Sequence, residues 1–156
     1  MNKNKFFNIV QYIVSQGEKI AIKYSGETNL QIGYVDIFAK DEVEKEQLLS
    51  IIKKLGKVAE RPKTGLTFLL DKPINTDSGS LRLIKIRFPD PARPQRGAPD
   101  FKVPDYKVFK KGILGKKNVN LIERPKYEMI EIWDKTEDVL VYFPNILLSD
   151  DLSLNQ

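Results

Sequence analysis

Residues 30–88 alternate between two hydrophobic periods, and this order constrains the fold more than any other feature of the sequence. Three stretches have the two-residue apolar spacing that is typical of strands: residues 30–38, 64–70 and 81–88. Between the first two, residues 41–55 place leucine and isoleucine at helical spacing, after Asp41 as a capping residue and before Gly56. Acidic residues in the first turns and lysines in the last turn suit the helix dipole, so residues 41–55 are predicted to form a helix.

The rest of the chain adds elements on both sides of this segment. At the N-terminus, the spacing predicts a helix over 3–16 that ends at Gly17, and a strand over 19–24 that forms a hairpin with 30–38. Two loops are predicted, a turn-rich connection over 71–80 and an extended loop with five prolines over 89–104. The patterns that follow indicate a helix over 105–111 and strands over 118–123, 127–133 and 138–143.

These elements predict an α+β fold with an antiparallel sheet and helices packed on one face. Their order after residue 30 also matches a ferredoxin-like split βαβ core with extra strands, and this variant stays open. We expect a single domain over residues 1–145 and a flexible C-terminal tail over 146–156. Since no apolar run reaches the roughly 18 residues of a membrane-spanning helix, we expect a soluble cytoplasmic protein without a membrane partner.

The chain contains neither cysteine nor histidine, and this excludes several kinds of chemistry. Disulfide scaffolds, thiol nucleophiles, Cys/His zinc sites and mechanisms that need an imidazole base are ruled out. Carboxylates, lysines, tyrosines and hydroxyls remain, and they form no recognised catalytic motif. We therefore expect a non-enzymatic protein, with no cofactor and no metal site.

Positive charge is concentrated in the middle of the chain. The whole chain carries 26 basic and 21 acidic residues, a net charge of +5. Residues 81–117 hold 11 basic and 3 acidic residues, whereas residues 118–156 hold 3 basic and 8 acidic residues. A surface of this kind attracts polyanions, because their counterions are released on binding. The competing interpretation is that Glu123, Glu128 and Glu131 neutralise the cations within the fold.

The basic region predicts an interface for RNA or single-stranded DNA. Its cations would contact phosphates, Gly97 would allow close approach of the backbone, and aromatic side chains would stack on bases. The candidate nucleic-acid-binding residues are Lys85, Arg87, Arg93, Arg96, Phe101, Lys102, Tyr106, Lys110, Lys111, Lys116 and Lys117. The aromatic signature of an RNA recognition motif is absent from the predicted central strands.

Two other functions stay open. A protein-interaction or regulatory module could use the charge asymmetry, for example in head-to-tail self-association of the basic middle with the acidic end. A magnesium-dependent phosphodiester enzyme could use Asp90 and Asp100 to hold the ion and Lys102 to steady a water molecule. Such acids normally lie on adjacent core strands, and the sequence places both in the proline-rich loop, which counts against the enzyme.

Overall fold

The computed structural model describes residues 1–148 and shows an α+β architecture with three helices and eight strands in that range. The helices are α1 (Lys3–Ser25), α2 (Glu42–Ile52) and α3 (Tyr106–Ile113). The strands are β1 (Gln31–Phe38), β2 (Gly56–Glu60), β3 (Gly65–Thr76), β4 (Gly79–Arg87), β5 (Gly97–Lys102), β6 (Val119–Glu123), β7 (Glu128–Ile132) and β8 (Val141–Pro144). The predictions for β1, α2, α3 and the last three strands are confirmed.

The first helix is longer than predicted, and the predicted strand over 19–24 is wrong. Ile20 and Ala21 are both buried while Ile22 is exposed, which is a helical pattern rather than an alternating one. Gly17 does not end the helix. A Cβ atom there would lie 2.3 Å from Cγ of Pro99, so this glycine lets α1 approach β5 closely. The helix ends at Gly26, which has a φ of 72° and donates its N–H to Ile22 O at 2.8 Å.

The two shorter helices begin where the sequence indicates. Asp41 Oδ1 accepts a hydrogen bond from Glu44 N at 2.8 Å, and Asp105 Oδ1 accepts one from Val108 N at 3.2 Å. Each aspartate satisfies an N–H group that has no partner inside its helix. The helix α2 ends at Ile52, before the predicted Leu55, because the chain turns there into β2.

Two segments predicted as loops contain strand. β3 continues to Thr76 and β4 begins at Gly79, so most of the predicted 71–80 connection is a β-hairpin. The proline-rich loop contains β5, which was missed because prolines are rare in central strands. The β5–β8 ladder pairs Asp100 with Tyr142 and is interrupted at Pro99, which has no N–H to donate.

The sheet is mixed, which corrects the prediction of an antiparallel sheet. Its strand order is β2-β3-β4-β1-β5-β8-β7-β6. The pairs β1–β4 and β5–β8 are parallel and the others are antiparallel. The ferredoxin-like variant is not confirmed by this order.

One main core joins the three helices to the sheet. Helix residues such as Phe6, Leu48 and Ile113 pack in the same cluster as Ile37 and Phe101 of the central strands. Because side chains alternate along a strand, the residues between these point to the opposite side of the sheet. We call that side the polar face; it carries Tyr34, Asp36, Thr67, Lys85, Asp100, Glu131 and Tyr142.

Most of the predicted C-terminal tail lies outside the described residues. Within residues 146–148, Leu147 is buried, and its side chain contacts Gly33, where a Cβ atom would lie 2.8 Å from it. Among the helices of residues 1–148, none is long and apolar enough to cross a membrane.

Candidate functional site

A group of exposed cations lies on α3 and the turn after it. Residues 102–117, here called the lysine segment, contain six lysines and one aspartate, a net charge of +5. Lys107 and Lys111 are one helical turn apart and exposed, and Lys117 is exposed in the turn. In the part of the chain that the structure describes, these three side chains have no ion pair, so their charges face solvent.

Other members of the lysine segment contact the protein itself. Lys110 Nζ lies 2.8 Å from Glu128 Oε2, and Tyr106 donates its hydroxyl hydrogen to the same carboxylate at 2.9 Å. The hydrogen bond from Lys110, followed by that from Tyr106, lowers the pKa of Glu128. Lys116 Nζ donates to the Tyr24 carbonyl at 2.7 Å. Lys102 is exposed at the end of β5.

Arg96 is a structural residue, which corrects its assignment to the interface. Its guanidinium is only 8% exposed and lies 2.6 Å from Glu44 Oε1. It also donates to the Phe38 carbonyl at 2.9 Å. A buried guanidinium that holds a carboxylate and a carbonyl is not available to a phosphate.

Arg93 is held by the acidic C-terminal part of the domain. It donates to the Tyr142 hydroxyl at 3.1 Å and lies 3.9 Å from Glu131 Oε2. Its guanidinium also covers the Trp133 ring, 5.0 Å from the ring centroid. Charge matching within the fold, the competing interpretation of the sequence, therefore holds for Arg93 with Glu131 and for Lys110 with Glu128.

The two predicted stacking residues have structural contacts. Phe101 is fully buried and packs against Phe143, with ring centroids 6.3 Å apart, so its prediction as a stacking surface is corrected. Tyr106 is partly buried, and burial together with the bond to Glu128 raises the pKa of its hydroxyl. Its hydroxyl is therefore a donor to Glu128 at every physiological pH.

Lys85 and Arg87 share the polar face, as their spacing predicts, but their acidic partners differ from the predicted ones. Lys85 is buried; its Nζ lies 3.9 Å from Asp36 Oδ2 and donates to Thr64 Oγ1 at 2.6 Å. Arg87 lies 3.7 Å from Asp90 Oδ2. Burial, the largest cause, lowers the pKa of Lys85. Because its ammonium is buried, Lys85 is not available to an external phosphate, and its predicted place in the nucleic-acid interface is corrected.

The polar face also contains two aspartates, Asp36 and Asp100. Asp36 of β1 is 92% buried, and its Oδ1 atom has no hydrogen-bond partner. Burial raises the pKa of Asp36 to about 7, against the opposing effect of Lys85. Burial, and then the charge of Asp36, raises the pKa of Asp100 well above its usual range. Each carboxylate makes the other harder to ionise.

The sequence did not single out Asp36. The available signal was one acidic residue inside the apolar strand 30–38, a position that costs free energy unless it has a purpose or a partner. The sequence predicts Asp100 in a loop, whereas the structure shows it on β5, next to β1. Asp90, its predicted partner, lies in a turn, where it accepts from Ala92 N at 2.9 Å and pairs with Arg87. The structure therefore pairs Asp100 with Asp36 in place of Asp90.

Within residues 1–148, no three Asp, Glu, His or Cys side chains are arranged to hold a metal ion on their own. The C-terminal acids are engaged elsewhere. Asp134 accepts hydrogen bonds from Thr136 and Tyr24, which lower its pKa to about 2. Any ion on the polar face would thus need ligands beyond the protein's carboxylates, such as water or oxygen atoms of a bound ligand.

Comparisons with known proteins give information about the fold and none about the function. No family model matches the chain, and no curated protein matches it. The chain is similar to a solved structure described as "Structural Genomics, Protein EC4020", with a TM-score of 0.67 and 11% sequence identity, over 100% of this chain and 98% of that one. At this identity, the likeness shows that this arrangement of helices and strands occurs in another protein.

Proposed function

We propose that the protein is a non-enzymatic binding module of the cytoplasm that engages RNA or single-stranded DNA through the lysine segment. The observation that carries this proposal is the group of exposed, unpaired ammonium groups at Lys107, Lys111 and Lys117. Flexible lysines on a helix and turn suit phosphates, because each acts as a point charge that needs no fixed orientation. Binding would be dominated by counterion release and would show little sequence preference.

The proposed interface is smaller than the one expected from the sequence. Arg96, Phe101 and Lys85 are excluded by burial, and Arg93 and Lys110 have acidic partners inside the chain. A variant that removes Arg93 and Arg96 together would break two internal ion pairs. Its loss of binding would report misfolding as easily as lost phosphate contacts.

The cleaner test removes Lys107, Lys111 and Lys117 together by substitution with alanine. We expect weaker binding to a labelled single-stranded oligonucleotide, and a slope of log Kobs against log salt that is smaller by about 2, since each lost phosphate contact removes about 0.7. The measurement is fluorescence anisotropy over a salt series.

The matched control is the triple alanine variant at Lys53, Lys54 and Lys57, which are also exposed. Either triple substitution lowers the net charge from +5 to +2. This control should bind with nearly the wild-type slope. Equal losses in both variants would mean that net charge alone drives the association. The localised interface would then be rejected.

A protein-interaction module is the second candidate, and the structure gives it less support. Head-to-tail association needs acidic and basic surfaces that stay unmatched within one chain. Glu128 and Glu131 are matched by Lys110 and Arg93 of the same chain. A salt-sensitive dimer in light scattering would favour this candidate over nucleic-acid binding.

A further inference from the structure

We propose that Asp36 and Asp100 form a binding site for a hard divalent cation of the Mg²⁺ class on the polar face of the sheet. The proposal does not depend on nucleic-acid binding. It concerns a different surface and a different ligand, and rests on the positions, burial and hydrogen bonds of these two side chains.

The strand register brings the two carboxylates to the same place. In the antiparallel pair β1–β5, Tyr34 is opposite Asp100 and Asp36 is opposite Ala98. Asp36 and Asp100 are therefore diagonal neighbours on one side of the sheet. Diagonal Cα atoms are about 7–8 Å apart, which lets two aspartates that lean toward each other share one ion.

One carboxylate oxygen of Asp36 has no hydrogen-bond partner, and a bound cation would take that place. The residue is 92% buried, and its Oδ1 atom has no hydrogen-bond partner. The nearest cation, Lys85 Nζ, lies 3.9 Å from the other oxygen, while Thr64 takes its short hydrogen bond at 2.6 Å. A buried acceptor without a partner costs about 1–3 kcal/mol, and more when it is charged.

The surrounding charges are mostly engaged with other groups. Arg87 pairs with Asp90, and Arg93 pairs with Glu131 and Tyr142. Tyr34 shares a hydrogen bond with Thr67 at 3.3 Å. Lys85 is the cation that acts on both aspartates, and Arg87 and Arg93 act on Asp36 from a greater distance while paired with other acids.

The chemistry of the site selects the class of ion. Two carboxylates without imidazole or thiolate favour Mg²⁺, Mn²⁺ or Ca²⁺ over zinc or copper. Mg²⁺ commonly binds through one or two carboxylates and keeps water or ligand oxygens in its other positions. An ion held by Asp36 and Asp100 would therefore complete its coordination with water molecules.

The test uses the full chain and MnCl₂ alone, with binding followed by isothermal titration calorimetry and by the loss of the free Mn²⁺ signal in electron paramagnetic resonance. We expect one saturable site in the wild type. Asp36→Asn and Asp100→Asn should each weaken binding by at least about tenfold, because even groups that only support a ligand contribute that much.

Asp71→Asn is the matched control, since Asp71 is an exposed aspartate on β3. It should bind Mn²⁺ like the wild type. Each variant's fold is checked by circular dichroism, and the two separate aspartate variants keep the test informative if one of them fails to fold. Two outcomes would overturn the proposal: no saturable binding by the wild type, or unchanged binding in a folded Asp36→Asn or Asp100→Asn variant. Neither outcome bears on the lysine segment, because no oligonucleotide is present.

Discussion

At the scale of single residues, Arg93 and Arg96 have a different task from Lys107, Lys111 and Lys117. The planar guanidinium groups of Arg93 and Arg96 hold carboxylates and other polar groups of the fold. The three exposed lysines carry their charge on flexible stems in solvent. A guanidinium can bind two acceptors at fixed angles, so it suits a buried ion pair, whereas an ammonium suits a diffuse polyanion. Net charge alone therefore overstates the charge available to a partner.

The buried pair of Arg96 and Glu44 gives a stability prediction. Arg96→Ala should lower the free energy of unfolding by about 3 kcal/mol, because it removes the cation from the mostly buried Glu44 carboxylate, which keeps the hydrogen bond from Lys40 N. Urea denaturation followed by circular dichroism measures the change. Arg61→Ala removes an exposed arginine and should stay within about 0.5 kcal/mol of the wild type. Similar values for the two variants would contradict a structural role of Arg96.

Asp36 gives a prediction about pH. Its pKa is raised to about 7 in the fold and is about 3.9 in an unfolded chain, so the folded protein binds more protons between these values. The contribution of this group to stability is fully present below about pH 3.9 and is lost as the pH rises through 7, with a slope of up to about 1.4 kcal/mol per pH unit.

The measurement for this group is the free energy of unfolding of the wild type minus that of Asp36→Asn, from pH 5 to pH 8 without divalent cations. We expect the difference to fall as the pH rises, since asparagine does not titrate. Asp71→Asn serves as the control and should show no such slope relative to the wild type. A flat difference for Asp36→Asn would mean that Asp36 stays ionised in the fold.

At the scale of elements, the sequence predicted the helix starts that depend on interactions between neighbouring residues. α2 and α3 begin at Asp41 and Asp105, whose side chains bond to N–H groups three residues later, and both starts were predicted. The end of α1 was not predicted correctly, because the role of Gly17 depends on Pro99, a residue far along the chain. β5 was missed for a related reason: Pro99 is tolerated only where the neighbouring ladder is interrupted, and that depends on the strand order.

Two substitutions of glycines in helices should have opposite effects, because Gly17 lies at the contact between α1 and β5 and Gly112 lies in open space. Gly17→Ala should lower the free energy of unfolding by about 1–2 kcal/mol, because overpacking against Pro99 exceeds the gain in helix propensity. Gly112→Ala in α3 meets no atom within 4 Å and should raise it by up to about 1 kcal/mol. Thermal denaturation compares the two. A stabilising Gly17→Ala would show that helix and strand are not in close contact.

At the scale of the whole molecule, the candidate sites depend on contacts between distant parts of the chain. The sequence showed that the middle is basic and the end acidic, but not that Arg93 meets Glu131, nor that Arg96 meets Glu44. Asp36 and Asp100 are likewise brought together only by the β1–β5 register. Composition predicted the sign of the charge and the chemistry that is excluded. The tertiary pairing determines which charges stay available, and this pairing cannot be read from local patterns.

The pairing of β5 with β8 has a consequence for the synthesis of the chain. β5 is complete at residue 102, while the strand that covers its outer side, β8, begins at Val141. During synthesis, the first five strands leave the ribosome with β5 as an open sheet edge, and such an edge can recruit other chains. The growing polypeptide therefore passes through an aggregation-prone interval that closes only when β8 emerges.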